Sequence, residues 1–248
     1  MSQITTTTLP RPIESDIYPG LSRSMSLAFA HVGRTGRNPD WNRFNVRRVK
    51  YFHRQIYSTG TGDAVRSLTF FGANQALAVT NIPQQGRLDQ DTALWLQAVR
   101  VVVDSGVDAA GAGQATGAQS VNSNTATAVA ELIRLVIKTG TLTLRVGDRD
   151  VVTPQGVYGL EAFPAGGGVQ IDAALTTTAT SASHQIAGVN NGAPFASNAW
   201  LCQPWFPVLP GKPIVGNITW PVNLQGIAST TITCRMELEG LLVSPANL

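Results

Sequence analysis

Seven cations fall between residues 34 and 54: Arg34, Arg37, Arg43, Arg47, Arg48, Lys50 and Arg54. Trp41, Phe44, Tyr51 and Phe52 are interleaved with them. Guanidinium groups neutralise phosphate and bind through the counterions released, and aromatic rings at this density stack on unpaired bases. The pattern therefore suits packaged nucleic acid or the anionic head groups of a membrane. It equally suits acidic faces of neighbouring copies, because the charge of the chain is split. Residues 1–60 hold nine Lys/Arg against Glu14, Asp16 and Asp40, a net +6, and residues 61–248 carry a net −3.

Catalytic chemistry finds fewer footholds. The three histidines, His31, His53 and His184, are far apart. No HxH, HExxH or CxxC spacing occurs, so the common zinc signatures are missing. No G-x-S-x-G elbow is present, and His184 beside Ser181 and Ser183 reads as a solvated loop residue. Glu237 and Glu239 share one strand face, and Asp148 and Asp150 flank a turn; both pairs are expected at solvated or interface positions rather than in a cleft that cleaves glycosides. Asp89, Asp91, Asp148 and Asp150 could hold a structural Ca²⁺ between subunits. The glycine runs in 106–117 and 166–168 match neither phosphate-loop pattern. The expectation is a chain that is not an enzyme, with no catalytic residue, no cofactor and no small-molecule substrate.

The elements that must carry these residues read as β. Residues 1–45, with Pro10, Pro12, Pro19 and Pro39, look like a basic N-terminal arm in which Ser24–Val32 forms a short helix or strand. Residues 46–248 form the folded domain. Its first strand, Val46–Tyr57, alternates without showing which face is buried. Further strands are expected at Ser67–Phe71, Ala76–Thr80, Thr92–Val103, Thr141–Val146, Val169–Leu175, Trp200–Phe206, Ile214–Trp220 and Thr230–Val243. In the last, Ile232, Cys234, Met236 and Leu238 face one way and Thr233, Arg235, Glu237 and Glu239 the other. Ala126–Lys138 reads as one helix, with Val129, Leu132, Ile133 and Val136 on its apolar face and Gly140 just past its end. Residues 104–125 and Thr176–Ala199 read as long polar loops, of the kind that carry contacts.

About eight long antiparallel strands with long connections describe an all-β jelly-roll sandwich, single in preference to a compact double one, with one short helix and an extended N-terminal arm. Charged residues make up 13% of the chain, against about 25% in ordinary globular domains. So thin a solubility margin suits a subunit that covers its faces with copies of itself. Cys202 and Cys234 are expected as buried free thiols, although a disulfide would form if their strands were neighbours. Met1–Leu9 has no apolar core, and no run approaches the ~18 apolar residues of a membrane span, so assembly in a host cytoplasm is expected.

Six stretches carry a resemblance. Leu68-Thr69-Phe70-Phe71-Gly72, Thr80-Asn81-Ile82 and Gly86-Arg87-Leu88 with the strand to Val103 resemble the major capsid proteins of small icosahedral bacteriophages. Glu131-Leu132-Ile133-Arg134 leading to Gly140-Thr141-Leu142-Thr143-Leu144, the Pro210-Gly211-Lys212 turn and the ending Glu237-Leu238-Glu239-Gly240 fit the same group. The chain is similar over residues 46–243 to the tailless phages of the corticovirus and finnlakevirus groups, a lineage that includes membrane-containing particles. The resemblance implies subunits that self-assemble into trimeric or hexamer-like capsomers of the virion, meet other capsid proteins at the vertices, and turn their cations toward genome, membrane or neighbour. Two other readings stay open: a minor vertex or spike protein of the same virion, and a carbohydrate-binding module with Trp200, Trp205 and Trp220 as its platform. For these tryptophans the apolar strands around them favour the core.

Overall fold

The computed structural model describes residues 18–37, 44–58, 66–72, 79–82, 86–105, 119–120, 132–152, 160, 170–178, 181–190, 199–221 and 232–246. Along them run helix α1 (Arg23–Thr35), strands β1 (Phe44–Ser58), β2 (Ser67–Phe70), β3 (Ala93–Ser105) and β4 (Gln119–Ser120), and helix α2 (132–139). Then come β5 (Thr141–Val146), β6 (Arg149–Val152), β7 (Gln170–Thr178), β8 (Ser181–Asn190), β9 (Trp200–Val208), β10 (Ile214–Thr219) and β11 (Ile232–Pro245).

The strands form two antiparallel sheets. In the larger, β1, β11, β3 and β9 lie side by side. Past the end of β9, β3 also meets β8 at the Asp104–Asn190 pair, and β8 carries β7 and β4. The smaller sheet runs β2-β10-β5-β6. Alternation explains which faces meet. Leu142, Leu144 and Val146 of β5 and Ile214 and Ile218 of β10 are buried, and so are Leu94, Leu96, Val99, Val101 and Val103 of β3 and Ile232, Cys234, Met236 and Leu238 of β11. All belong to one core between the sheets. The fit is close: a Cβ added to Gly216 in the smaller sheet would lie 2.5 Å from Met236 Sδ in the larger. Helix α2 closes one end with Leu132, Ile133 and Val136, and Trp220 Nε1 donates to Val136 O at 2.9 Å.

The ambiguous facing of β1 is settled by its neighbours. Val49, Tyr51, His53 and Tyr57 point into the core, while Arg48 and Lys50 stand on the outer face. His53 has no exposed surface. Its Nδ1 accepts the Phe71 N–H at 2.5 Å, and its Nε2 lies 2.9 Å from Gln55 Nε2, which donates to Thr69 O at 3.2 Å.

Several expectations need correction. Within the expected arm, Ser24–Val32 takes the helical of its two expected forms, but packed on the sheet rather than extended. Ser22 caps α1 by accepting the Met25 N–H at 3.3 Å, and Gly36 ends it at φ 66°, donating to Val32 O at 2.7 Å. The helix packs Met25, Ala28, Phe29 and Val32 on the outer face of the larger sheet, against Phe44, Ala93, Trp95 and Val243. Phe29 stacks on Trp95 with centroids 4.4 Å apart, and Trp95 Nε1 donates to Phe29 O at 2.7 Å. Thr176–Ala199 is not wholly a loop either: its first residues finish β7, and β8 pairs back on β7 from Gln170–Asn190 to Thr178–Ser181. Thr-rich backbone suits a strand even where apolar contrast is weak. Within 104–125, β3 runs on to Ser105 and Gln119–Ser120 form β4. The start of the expected helix at Ala126 and most of Ala76–Thr80 lie outside the described residues, although Thr80 bridges to His53.

Cys202 and Cys234 are both buried and free. They sit on β9 and β11, which are separated by β3. Burial pushes the Cys202 thiol up to about 12.

Candidate functional site

The cationic cluster divides once it is folded. Arg34 and Arg37 are exposed at the C-terminal end of α1, where positive charge complements the helix dipole. Arg47, Arg48 and Lys50 are exposed along β1, and Arg54 is half-buried with its Nε lacking a hydrogen bond. Arg43 lies outside the described residues.

On the outer face, Arg48 and Lys50 meet partners from their own chain rather than waiting for a neighbour. Antiparallel register sets Lys50 opposite Glu239 and Phe52 opposite Glu237 on β11, and Glu237 opposite Arg100 on β3. Arg100 Nη1 holds Glu239 Oε2 at 2.6 Å, and Arg48 bonds the other oxygen of the same carboxylate. Lys50 Nζ lies 3.2 Å and Arg100 Nη1 3.9 Å from Glu237 Oε2, close enough for charge attraction but without hydrogen-bond geometry. Arg235 Nε reaches Glu237 Oε1 at 3.0 Å. Four cations thus surround two carboxylates across three strands.

This corrects the expectation that Glu237 and Glu239 are solvated or at an interface: they are 4% and 8% exposed, and Arg100 is 3% exposed. Burial alone would raise the Glu239 carboxyl, but the bonds and charge of Arg100 and Arg48 hold it below the usual value. Removing one member would leave an uncompensated charge, so the ladder fixes the β1–β11–β3 register. Arg100 was hidden in the sequence, flanked by Val99 and Val101 in an apolar strand.

The ladder opens onto a cleft of about 190 Å³, lined by Arg48, Gln97, Arg100, Gln203, Trp205 and Glu239, with Leu201 at its rim. A bulge makes room for it. Ala98 pairs with Glu239 and Leu96 with Gly240, leaving Gln97 as the extra residue. Gly240 is required there, since a Cβ would come within 2.1 Å of Trp95 O. Trp205 forms one wall, its far edge against α1: a Cβ on Gly36 would lie 3.3 Å from Trp205 Cη2. Leu201 is 53% exposed.

The remaining sequence candidates do not converge. Asp150 pairs with Arg145 at 3.2 Å, and among the described residues no three His, Cys, Asp or Glu side chains are grouped to hold a metal ion. The side chains of Ser181, Ser183 and His184 lie outside the described ones. The three tryptophans form no platform: Trp220 is buried under α2, Trp200 packs against the main core and Trp205 against the α1 cluster. No helix among the described residues is long and apolar enough to cross a membrane.

Comparison with protein-family models, with curated proteins and with solved structures returns no match for this chain.

Proposed function

We propose that the chain is a single eight-stranded jelly roll and serves as the major capsid protein of a small icosahedral bacteriophage. The observation that carries the reading is strand order. Let β1, β2, β3, β5, β6, β9, β10 and β11 be eight principal strands in chain order. The larger sheet then holds the first, eighth, third and sixth, and the smaller the second, seventh, fourth and fifth. First pairs with eighth, second with seventh, third with sixth and fourth with fifth, which is a long two-stranded ribbon rolled into a sandwich. β4, β7 and β8 are additions between these strands. The described residues form eleven strands, fewer than two such eight-stranded rolls would need.

Jelly rolls also serve as cupin enzymes and lectins. His53, the one buried histidine among the described residues, spends Nδ1 on the Phe71 N–H, and Trp200, Trp205 and Trp220 give no sugar platform. Low charge content, the +6/−3 split and the resemblance of residues 46–243 to phage shell proteins favour assembly with copies of itself, in trimeric or hexamer-like capsomers, with the cationic segment toward genome or membrane. The test is to express the chain and examine it by light scattering and electron microscopy. Shells or regular capsomers are expected; a monodisperse monomer at high concentration and low salt would overturn the reading.

A further inference from the structure

Around Trp205 four elements bring different chemistries together. At the end of α1 its cap Gly36 lies beside the indole, where an added Cβ would come 3.3 Å from Trp205 Cη2. β1 contributes Arg48, whose side chain is 64% exposed. β3 contributes Gln97 at its bulge, and β9 contributes Gln203 and Trp205 itself. Glu239 does not exhaust Arg48: Arg100 shares that carboxylate at 2.6 Å, and a guanidinium has five N–H donors in all. The cleft thus has an aromatic wall, two amides able to donate and accept, and an outward-facing cation.

We propose that this cleft binds one nucleotide of a single-stranded nucleic acid. The base lies against Trp205, Gln97 and Gln203 meet its edge, and the adjoining phosphate lies on Arg48. Stacking is available to any base, so recognition is tolerant of sequence, with the amides setting a modest preference. A duplex keeps its base faces covered and would have to flip a base out to use the site. A lipid head group would use the cations but has no ring for Trp205 and no edge for paired amides. The inference rests on the genome-facing reading of the cationic segment but not on shell formation.

The test uses the full chain, kept dissociated, and a fluorescein-labelled mixed-sequence 12-nucleotide DNA strand, with binding read by anisotropy across a salt series. Affinity should fall linearly in log–log form with salt. Arg48→Ala should lower the magnitude of that slope by about 0.7, the signature of one lost single-strand phosphate. Trp205→Leu should weaken binding about tenfold with the slope unchanged. Gln203→Ala, at an exposed position, should change the ranking of homopolymer strands and leave the thermal midpoint intact. If Trp205→Leu does not fold, the other two variants carry the test. Wild-type affinity in Arg48→Ala and Gln203→Ala, or binding to phosphatidylglycerol vesicles that the strand does not displace, would overturn the proposal. Shells that form from a chain without cleft-dependent binding would overturn this inference alone, and strand binding by a chain that never assembles would overturn the capsid reading alone.

Discussion

At the scale of single residues, His53 ties stability to pH. Burial lowers its pKa from 6.5 to about 4. The unfolded chain therefore binds a proton between pH 6.5 and 4 that the folded chain refuses. The stabilisation is complete above pH 6.5 and is lost as pH falls toward 4. Stability at pH 5 should lie about 2 kcal/mol below that at pH 7.5 from this group alone. Glu239, held low by Arg100 and Arg48, adds its own loss only below its ordinary value of 4.5. His53→Leu should cost about 1–3 kcal/mol at pH 7.5, because the Phe71 N–H loses its acceptor, and should flatten the profile between pH 7.5 and 5. Urea unfolding at a series of pH values checks this; an unchanged slope in the variant would refute it. The position of His53 could not be read from the sequence, because both faces of Val46–Tyr57 mix polar and apolar residues and only pairing with Met236 of β11 turns the ring inward.

At the scale of elements, two contacts decide how the pieces fit. Gly33 lies in the last turn of α1, at a helical position where Ala would ordinarily be favoured by up to about 1 kcal/mol. Here a Cβ would lie 2.4 Å from Trp95 Cζ2. Gly33→Ala should therefore destabilise by about 1–3 kcal/mol, the overpacking cost, and the same change in a Trp95→Leu background should be neutral or stabilising. Thermal or urea unfolding of the double-mutant cycle reads the sign. The second contact is the ladder. Arg100→Met should cost about 3–5 kcal/mol by stranding two buried carboxylates. Adding Glu239→Leu should recover part of that, since Arg48 is free to turn into solvent. Legibility follows the same physics. Leu142, Leu144 and Val146, or Ile232 to Leu238, announced their strands because one face is apolar and the other is not. β7 and β8 did not, since Thr, Ser and Ala give little contrast and the backbone ladder carries the pairing. α1 was readable in part: Ser22 and Gly36 are its start and stop signals, but neighbouring prolines made the region look like an arm. Of the ladder, Arg235, Glu237 and Glu239 were legible on one strand face and Arg48 and Lys50 in the cationic cluster; its centre, Arg100, looks from sequence like a flaw in an apolar strand.

At the scale of the whole molecule, the exposed edges and the split charge have to be accounted for together. The β1 edge is partly covered by its own chain: Asn81 accepts the Phe52 N–H at 2.6 Å and donates to Lys50 O at 2.8 Å, and Arg54 N–H donates to Val79 O. Farther along, exposed Arg47, Arg48 and Lys50 mark the strand with like charge, a device that discourages unintended pairing. β9, at the opposite side of the four-strand core, carries Pro204 and Pro207, which cannot donate to a further strand. On the proposed capsid reading, copies would therefore meet elsewhere than at these two strand edges. Association of folded subunits draws the equilibrium away from the unfolded chain, so apparent stability should rise with protein concentration. Over a hundredfold range of concentration the thermal midpoint should climb by several degrees, in step with scattering that reports assembly. Because assembly would bring the +6 segments of many copies together, added single-stranded polyanion should raise the midpoint further at low salt and lose that effect as salt screens it. A midpoint indifferent to concentration would show that the fold is complete in one copy, and the capsid reading would fall with it.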